Sequence, residues 1–185
     1  KALSQIEKLK DNYLYEDFKA QTFHNIGLVY QNNNQYKKAL ENFSEGLKIE
    51  NLLKKQPVLY SALLDNYAYC KFKLNNNEGY DELNRALFLR DSINNIAGII
   101  KSKIHLTEYY LSKANKTKAL QLNNEAYTLA DKSNYNKEIL KTLDLYTKID
   151  PSNGLKYAQK YIKLSDSLND LERATRNKLA RIEYE

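Results

Sequence analysis

The chain has 185 residues, which is enough to bury a continuous hydrophobic core. It contains only five Gly and two Pro, so it lacks the turn residues that an all-β fold needs at every corner. The formal net charge is +6, but basic and acidic residues are interspersed without a long run of like charge, and this scatter argues against nucleic acid as a partner of this chain.

The first residues already show the apolar spacing of a helix. Leu3, Ile6 and Leu9 recur every three residues and lie on one helical face. The sequence begins with Lys1, and we expect it to be a piece of a longer protein. Residues 1–15 are interpreted as a truncated half-repeat and loop.

Residues 16–53 contain the clearest pair of predicted helices. A polar break at Asn32–Asn34 separates two sets of residues at helical spacing, which are Phe23, Ile26, Gly27 and Tyr30, then Ala39, Phe43 and Gly46. Counted from Gly27, the three residues of the second set follow at intervals of twelve, sixteen and nineteen. Small residues at Gly27 and Ala39 would let two antiparallel helices cross closely.

This spacing of small and aromatic residues resembles the tetratricopeptide repeat. The resemblance implies an all-α fold, namely a right-handed α-solenoid of antiparallel helix pairs that serves as a scaffold for binding another protein or peptide. Phe23 stands where the family usually has Trp. The resemblance covers essentially the whole chain as a single domain.

Three looser repeats follow, over residues 57–94, 96–132 and 135–168. The segment 65–68 echoes 24–27 at an offset of 41, and Leu106 and Thr107 match the first repeat at an offset of 80. Pro151 marks a helix end, because proline disfavours a helical conformation in the preceding residue. Together the breaks predict helices near residues 17–32, 35–51, 58–75, 78–93, 96–112, 116–132, 135–149 and from 152 onward.

The resemblance implies that the first helix of each pair lines a concave groove. Amide, aromatic and charged residues on those helices suit an extended peptide or a partner helix. Asn25 and Asn66 recur at equivalent places, where an amide can bond a peptide backbone or, alternatively, only neighbouring helices. The predicted partner-binding residues are His24, Asn25, Leu28, Asp65, Asn66, Tyr69, Phe72, Lys101, His105 and Glu108.

Some family members grip a C-terminal carboxylate with Lys, Asn and Arg at defined places. Here His24, Leu28 and His105 occupy three of those five places, and only Asn66 and Lys101 match. That clamp is therefore not expected in this chain.

No motif of an enzyme is recognisable. His24 and His105, the two histidines, fall in different repeats and show no metal-ligand spacing. Cys70 is the sole cysteine and has apolar neighbours, which predicts a buried thiol. No Gly-rich phosphate loop or nucleophile motif is present. We therefore predict no catalytic residue, no metal site and no cofactor in this chain.

The last residues form one long predicted helix that continues over 169–185. Its apolar stripe comprises Leu164, Leu168, Leu171, Leu179 and Ile182, with Thr175 in the gap. The segment from Tyr161 to Glu185 resembles the end of the tetratricopeptide sensor region in bacterial membrane-anchored signalling proteins, where a histidine kinase or helix-turn-helix module follows. The helix could pair with its copy in a homodimer through Arg173, Arg176 and Arg181 against Glu172 and Glu183, or be a frayed tail.

This second resemblance implies a sensor or interaction domain of a bacterial two-component or transcriptional regulator. It would lie at the periplasmic face of the inner membrane as part of a longer protein. The alternative is a free-standing cytoplasmic adaptor or assembly scaffold without an output module. The longest uninterrupted apolar run is 96–100, so no membrane span is expected within the chain.

Overall fold

The computed structural model describes residues 15–75 and 77–182, and every regular element in this part of the chain is a helix. The all-α prediction is thereby confirmed. The predicted half-repeat over 1–15 lies outside the described residues apart from Tyr15. The helices are α1 (Tyr15–Asn32), α2 (Tyr36–Leu47), α3 (Leu52–Lys55), α4 (Pro57–Leu74), α5 (Tyr80–Ser92), α6 (Ile96–Ser112), α7 (Lys116–Lys132), α8 (Asn136–Ile149) and α9 (Gly154–Ile182), with one 3₁₀ turn at Pro151–Asn153 between α8 and α9.

The predicted helix over 35–51 is wrong at its C-terminal end. The helix α2 ends at Leu47, and the one-turn helix α3 begins five residues later. Between them Asn51 adopts a left-handed conformation with φ of 58°, which cannot continue a right-handed helix. The chain then passes through Gln56 into α4, whose first residue is Pro57.

Four of the connections between helices share one turn. In each, one residue has a left-handed φ, and these residues are Asn34, Asn94, Ala114 and Asn134. In the first turn the N–H of Asn34 donates to the carbonyl of Gln31, and the N–H of Gln35 donates to the carbonyl of Tyr30, both at 2.9 Å. The other three turns repeat this pair of bonds, which is the Schellman arrangement that satisfies the last carbonyls of a helix.

Packing is dominated by helices that follow one another in the chain. Apart from the one-turn α3, each helix packs on its neighbour in sequence, and the alternate helices α1, α4, α6 and α8 also contact one another in that order. Three buried apolar clusters succeed each other, centred on Phe43 and Leu63, on Leu83 and Leu106, and on Ile100 and Leu145. Alternate helices therefore share one side of the molecule.

Gly27 makes room for the ring of Phe43. A Cβ atom at Gly27 would lie 2.4 Å from Cε1 of Phe43, whose side chain is completely buried. The small residue predicted at this crossing thus accommodates an aromatic ring of α2. The predicted burial of Cys70 is confirmed.

Within residues 15–75 and 77–182, none of the helices combines the length and the apolar character that a bilayer crossing requires.

Candidate functional site

Two adjoining cavities open on the side of the molecule that carries α1, α4, α6 and α8. Their volumes are about 310 and 440 Å³, and Tyr69, Glu108 and Lys141 line both. We call the two cavities together the groove. Seven of the ten predicted partner-binding residues line it, namely Leu28, Asn66, Tyr69, Phe72, Lys101, His105 and Glu108.

The other three predicted residues lie elsewhere. His24 sits beside the groove, with its Nε2 atom 3.2 Å from Nδ2 of Asn66. Asp65 is completely buried and offers no surface to a partner. Asn25 is exposed, and its Oδ1 atom accepts a hydrogen bond of 2.9 Å from Gln21. The two asparagines at equivalent places in the sequence thus have different surroundings.

Asp65 holds together three helices beneath the groove. Its Oδ1 atom lies 3.1 Å from an Nη atom of Arg90 and accepts a 2.7 Å hydrogen bond from Ser102. Its Oδ2 atom lies 2.7 Å from Nδ1 of His105. Burial alone would raise the pKa of the Asp65 carboxyl, but Arg90, His105 and Ser102 outweigh it and hold that pKa far below its usual range. The buried carboxylate therefore fixes His105 in the groove wall.

Arg90 and Ser102 were not anticipated from the sequence, although Arg90 left a signal there. Leu83, Ala86 and Arg90 lie at helical spacing, so Arg90 falls on the apolar stripe of α5. A charged residue on such a stripe needs a buried partner. Besides Asp65, the Arg90 guanidinium donates to the carbonyl of Gly98 at 2.9 Å.

Aromatic rings form the middle of the groove. The Tyr69 ring stacks on the His105 ring, with centroids 4.1 Å apart, and the Tyr69 hydroxyl donates to Glu108 at 2.9 Å. Burial and the nearby Glu108 carboxylate raise the pKa of Tyr69, so its hydroxyl remains a donor. The Tyr36 and Phe72 rings meet the Tyr69 ring edge to face. These rings give the groove a rigid apolar wall.

Glu108 forms ion pairs with two lysines at the centre of the groove. The Nζ atoms of Lys141 and Lys73 lie 3.2 and 3.7 Å from its carboxylate oxygens. Although burial favours the neutral acid, Lys141 and the other neighbouring donors lower the pKa of Glu108. Glu108 is therefore charged and already neutralised within the molecule.

A third cavity, of about 490 Å³, adjoins the groove where the His24–Asn66 contact separates them. It is lined mainly by apolar groups of the α4 N-terminus, including Pro57, Val58 and Ala62. Val58 leaves 56% of its surface exposed, although it is a hydrophobic residue. The side of the molecule that carries the groove thus has an apolar end beside the first turns of α4.

The groove contains amides, aromatic rings and ammonium groups, which are the groups through which it can bind a ligand. No group of three or more His, Cys, Asp or Glu side chains that could hold a metal ion occurs in the described part of the chain. A scan against protein-family models found no match, and no curated protein matches the chain significantly.

Proposed function

We propose that this chain is a protein- or peptide-binding scaffold, built as a right-handed solenoid of tetratricopeptide-type helix pairs. Two features support this architecture. Alternate helices contact one another along the chain, as the first helices of stacked repeats do. The same Schellman turn also recurs at four connections between helices, which is typical of a repeated helix pair.

The observation that carries the functional proposal is the groove itself. Residues from α1, α4, α6 and α8 line it together, so a ligand crossing the groove would touch all four alternate helices. Asn66 is only 9% exposed and its Nδ2 atom lies 3.2 Å from Nε2 of His24, but its oxygen and second N–H remain for a peptide backbone. The rings of Tyr36, Tyr69 and Phe72 pack together in the groove wall, with the ammonium group of Lys73 over them, so the groove presents amide and ammonium groups on an aromatic support.

For the biological setting we propose a sensor or interaction domain of a bacterial signal-transduction protein, at the periplasmic face of the inner membrane. The support is α9, which has 29 residues where its packing partner α8 has 14. Such an overhang suits a helix that leads to an output module or pairs with a second copy. A free-standing cytoplasmic adaptor is the alternative, and it would use the same groove.

Selection from a random peptide display library tests the binding function. Asn66 lines the groove and Asn25 does not, so the two form a matched pair of variants. We expect Asn66→Ala to weaken binding of the selected peptides by about threefold to tenfold, the value of one hydrogen bond, and Asn25→Ala to leave it unchanged. Equal effects of the two variants would contradict binding in the groove.

A further inference from the structure

The fold gathers positive charge in the groove. The two cavities are lined by five lysines and two glutamates, which is an excess of three positive charges among the lining residues. The whole chain of 185 residues carries a formal charge of +6. An excess equal to half of that net charge thus lies among the residues that line the groove, although basic residues look scattered along the sequence.

The lysines of the groove differ in how far their charge is already balanced. Lys73 and Lys141 share the single carboxylate of Glu108. Lys148 pairs at 2.8 Å with Asp144, which is outside the lining. Among the described residues, no carboxylate oxygen lies within 4.0 Å of the Nζ atom of Lys101 or Lys137. Neither ammonium group makes an ion pair in this part of the chain, although Lys137 lies near enough to Glu172 of α9 to add to Arg176 in lowering the pKa of that carboxyl.

The lysines that line the groove are more exposed than the glutamates. Lys101 on α6 and Lys137 and Lys141 on α8 line the same cavity and are all exposed. Glu108 and Glu138, the acidic residues of the lining, are half-buried. The cations therefore face outward, where they attract a ligand. The charge of Lys101 also acts on His24: burial and then Lys101 lower the pKa of His24 to about 4.

We propose that the ligand of the groove is an acidic peptide segment, bound with its side-chain carboxylates against Lys101, Lys137 and Lys141 and its backbone beside Asn66. This inference rests on the proposed peptide-binding function and names its ligand class. Carboxylates spaced along a peptide can meet separate lysines and avoid Glu108 and Glu138. A nucleic acid would present an unbroken row of phosphates to those two acids, and the groove favours the peptide for that reason.

The test compares peptides that differ only in charge. Four helices spaced about 9 Å apart span about 27 Å, or roughly eight to ten residues of extended chain. A peptide of that length with glutamates at alternate positions is compared with its glutamine and lysine versions and with a single-stranded oligothymidylate. Both peptide ends are capped, so no terminal carboxylate contributes. Fluorescence anisotropy with the full chain measures each affinity at low and high salt.

We expect the glutamate peptide to bind at least about tenfold more tightly than the glutamine peptide, and this advantage to shrink at high salt. Lys101→Gln with Lys137→Gln should weaken its binding by about fivefold to thirtyfold, the value of two ion pairs. The matched control is Lys116→Gln with Lys132→Gln, because both lysines are exposed on α7 and neither lines the groove, and it should change nothing.

Three results would overturn the inference. They are equal affinity for the glutamate and glutamine peptides, an equal effect of the two lysine pairs, and tighter binding of the oligothymidylate. The library selection keeps the two proposals apart. Peptides that bind the groove but contain no acidic residues would overturn the acidic ligand and leave the binding function in place, whereas failure of Asn66→Ala to weaken any selected peptide would overturn both.

Discussion

Gly27 is the residue whose size most directly constrains the first helix pair. The ring of Phe43 occupies the space where a Cβ atom at position 27 would lie, and this ring is completely buried in an interior that packs densely. We expect Gly27→Ala to lower the free energy of unfolding by about 1–3 kcal/mol through overpacking, as measured by urea denaturation.

Gly154 provides the matched control for that substitution. A Cβ atom there would lie 3.9 Å from the carbonyl oxygen of Thr147, its nearest neighbour. Gly154 also has ordinary helical angles at the start of α9. Gly154→Ala should therefore stabilise the chain by about 0.4–1 kcal/mol. Adding Phe43→Leu to Gly27→Ala should cost less than the two single effects combined, and simple additivity would contradict the proposed clash.

His24 makes stability depend on pH. Burial, followed by the charges of Lys101 and Arg90, lowers its pKa from 6.5 to about 4. Between these values the unfolded chain binds a proton at His24 that the folded chain rejects, so the free energy of unfolding should fall as the pH decreases from about 6.5 to 4. The carboxyl of Asp65, whose pKa Arg90, His105 and Ser102 hold low in spite of burial, adds to this loss only below about pH 5, where it becomes protonated in the unfolded chain.

His24→Gln is the variant that checks this origin. A glutamine cannot be protonated in this range, and its side-chain oxygen can still accept a hydrogen bond from Asn66. Urea denaturation at several pH values should give a flatter dependence between pH 6.5 and 4 for the variant than for the parent chain. Identical slopes would place the pH dependence on other groups.

Residue types along the sequence predict which helix faces meet at the groove, but not how deeply each side chain is buried. Asp65 was predicted at the surface of the groove because its position in the repeat equals that of His24. Its burial depends on Arg90 and Ser102, which approach from α5 and α6. Arg90 belongs to the same helix pair as Asp65, but Ser102 belongs to the next pair, and the repeat pattern does not specify contacts between pairs.

At the scale of elements, the turns are the best predicted feature where they follow one pattern. The asparagine cluster at 32–34 marks a break at the observed place, because asparagine tolerates the left-handed conformation that a Schellman turn requires. The region from Leu47 to Pro57 departs from that pattern and contains the extra helix α3. Leu52 and Leu53 lie in the short helix α3, between the longer helices α2 and α4. The spacing of apolar residues therefore could not show where α2 ends.

Ala114 is the exception among the four turns. Its φ of 56° costs an alanine about 1–2 kcal/mol, whereas glycine adopts this conformation freely. Allowing for the greater freedom of glycine in the unfolded chain, Ala114→Gly should raise the free energy of unfolding by about 0.5–1 kcal/mol.

The control for Ala114→Gly is Asn134→Gly at the same place in the next turn. Asparagine already tolerates a φ of 56°, so this substitution should change the free energy of unfolding by no more than about 0.5 kcal/mol. Thermal or urea denaturation of both variants tests the comparison. A loss of stability in Ala114→Gly would show that the methyl group contributes more than the strain costs.

At the scale of the whole molecule, the contacts within the described residues are local. Each buried cluster draws on helices close together in the chain, and α9 contacts α8 and the adjoining 3₁₀ turn but no other helix to a comparable extent within the described residues. Tyr157 stacks on Tyr146 with centroids 4.7 Å apart, and Leu164 packs on the last cluster. The first half of α9 therefore closes the apolar core.

The second half of α9 does not cover the apolar core. At about 1.5 Å per residue α9 is about 44 Å long and α8 about 21 Å, so α9 continues well beyond its neighbour. Leu171 leaves 63% of its surface exposed. Arg176 pairs with Glu172 at 2.6 Å within α9, so these two charges are matched inside one helix. Any homodimer contact would thus depend on the apolar stripe.

A chain that ends at Leu171 should keep the unfolding midpoint of the full chain, measured at low protein concentration where self-association does not contribute. A chain that ends at Asn153 should lose several kcal/mol, because it exposes Tyr146 and the cluster around it. If the stripe joins two copies, sedimentation equilibrium should show association of the full chain that rises with concentration and disappears in the chain ending at Leu171. Monomer masses for both at all concentrations would refute the homodimer and leave the second half of α9 as a linker or a cap.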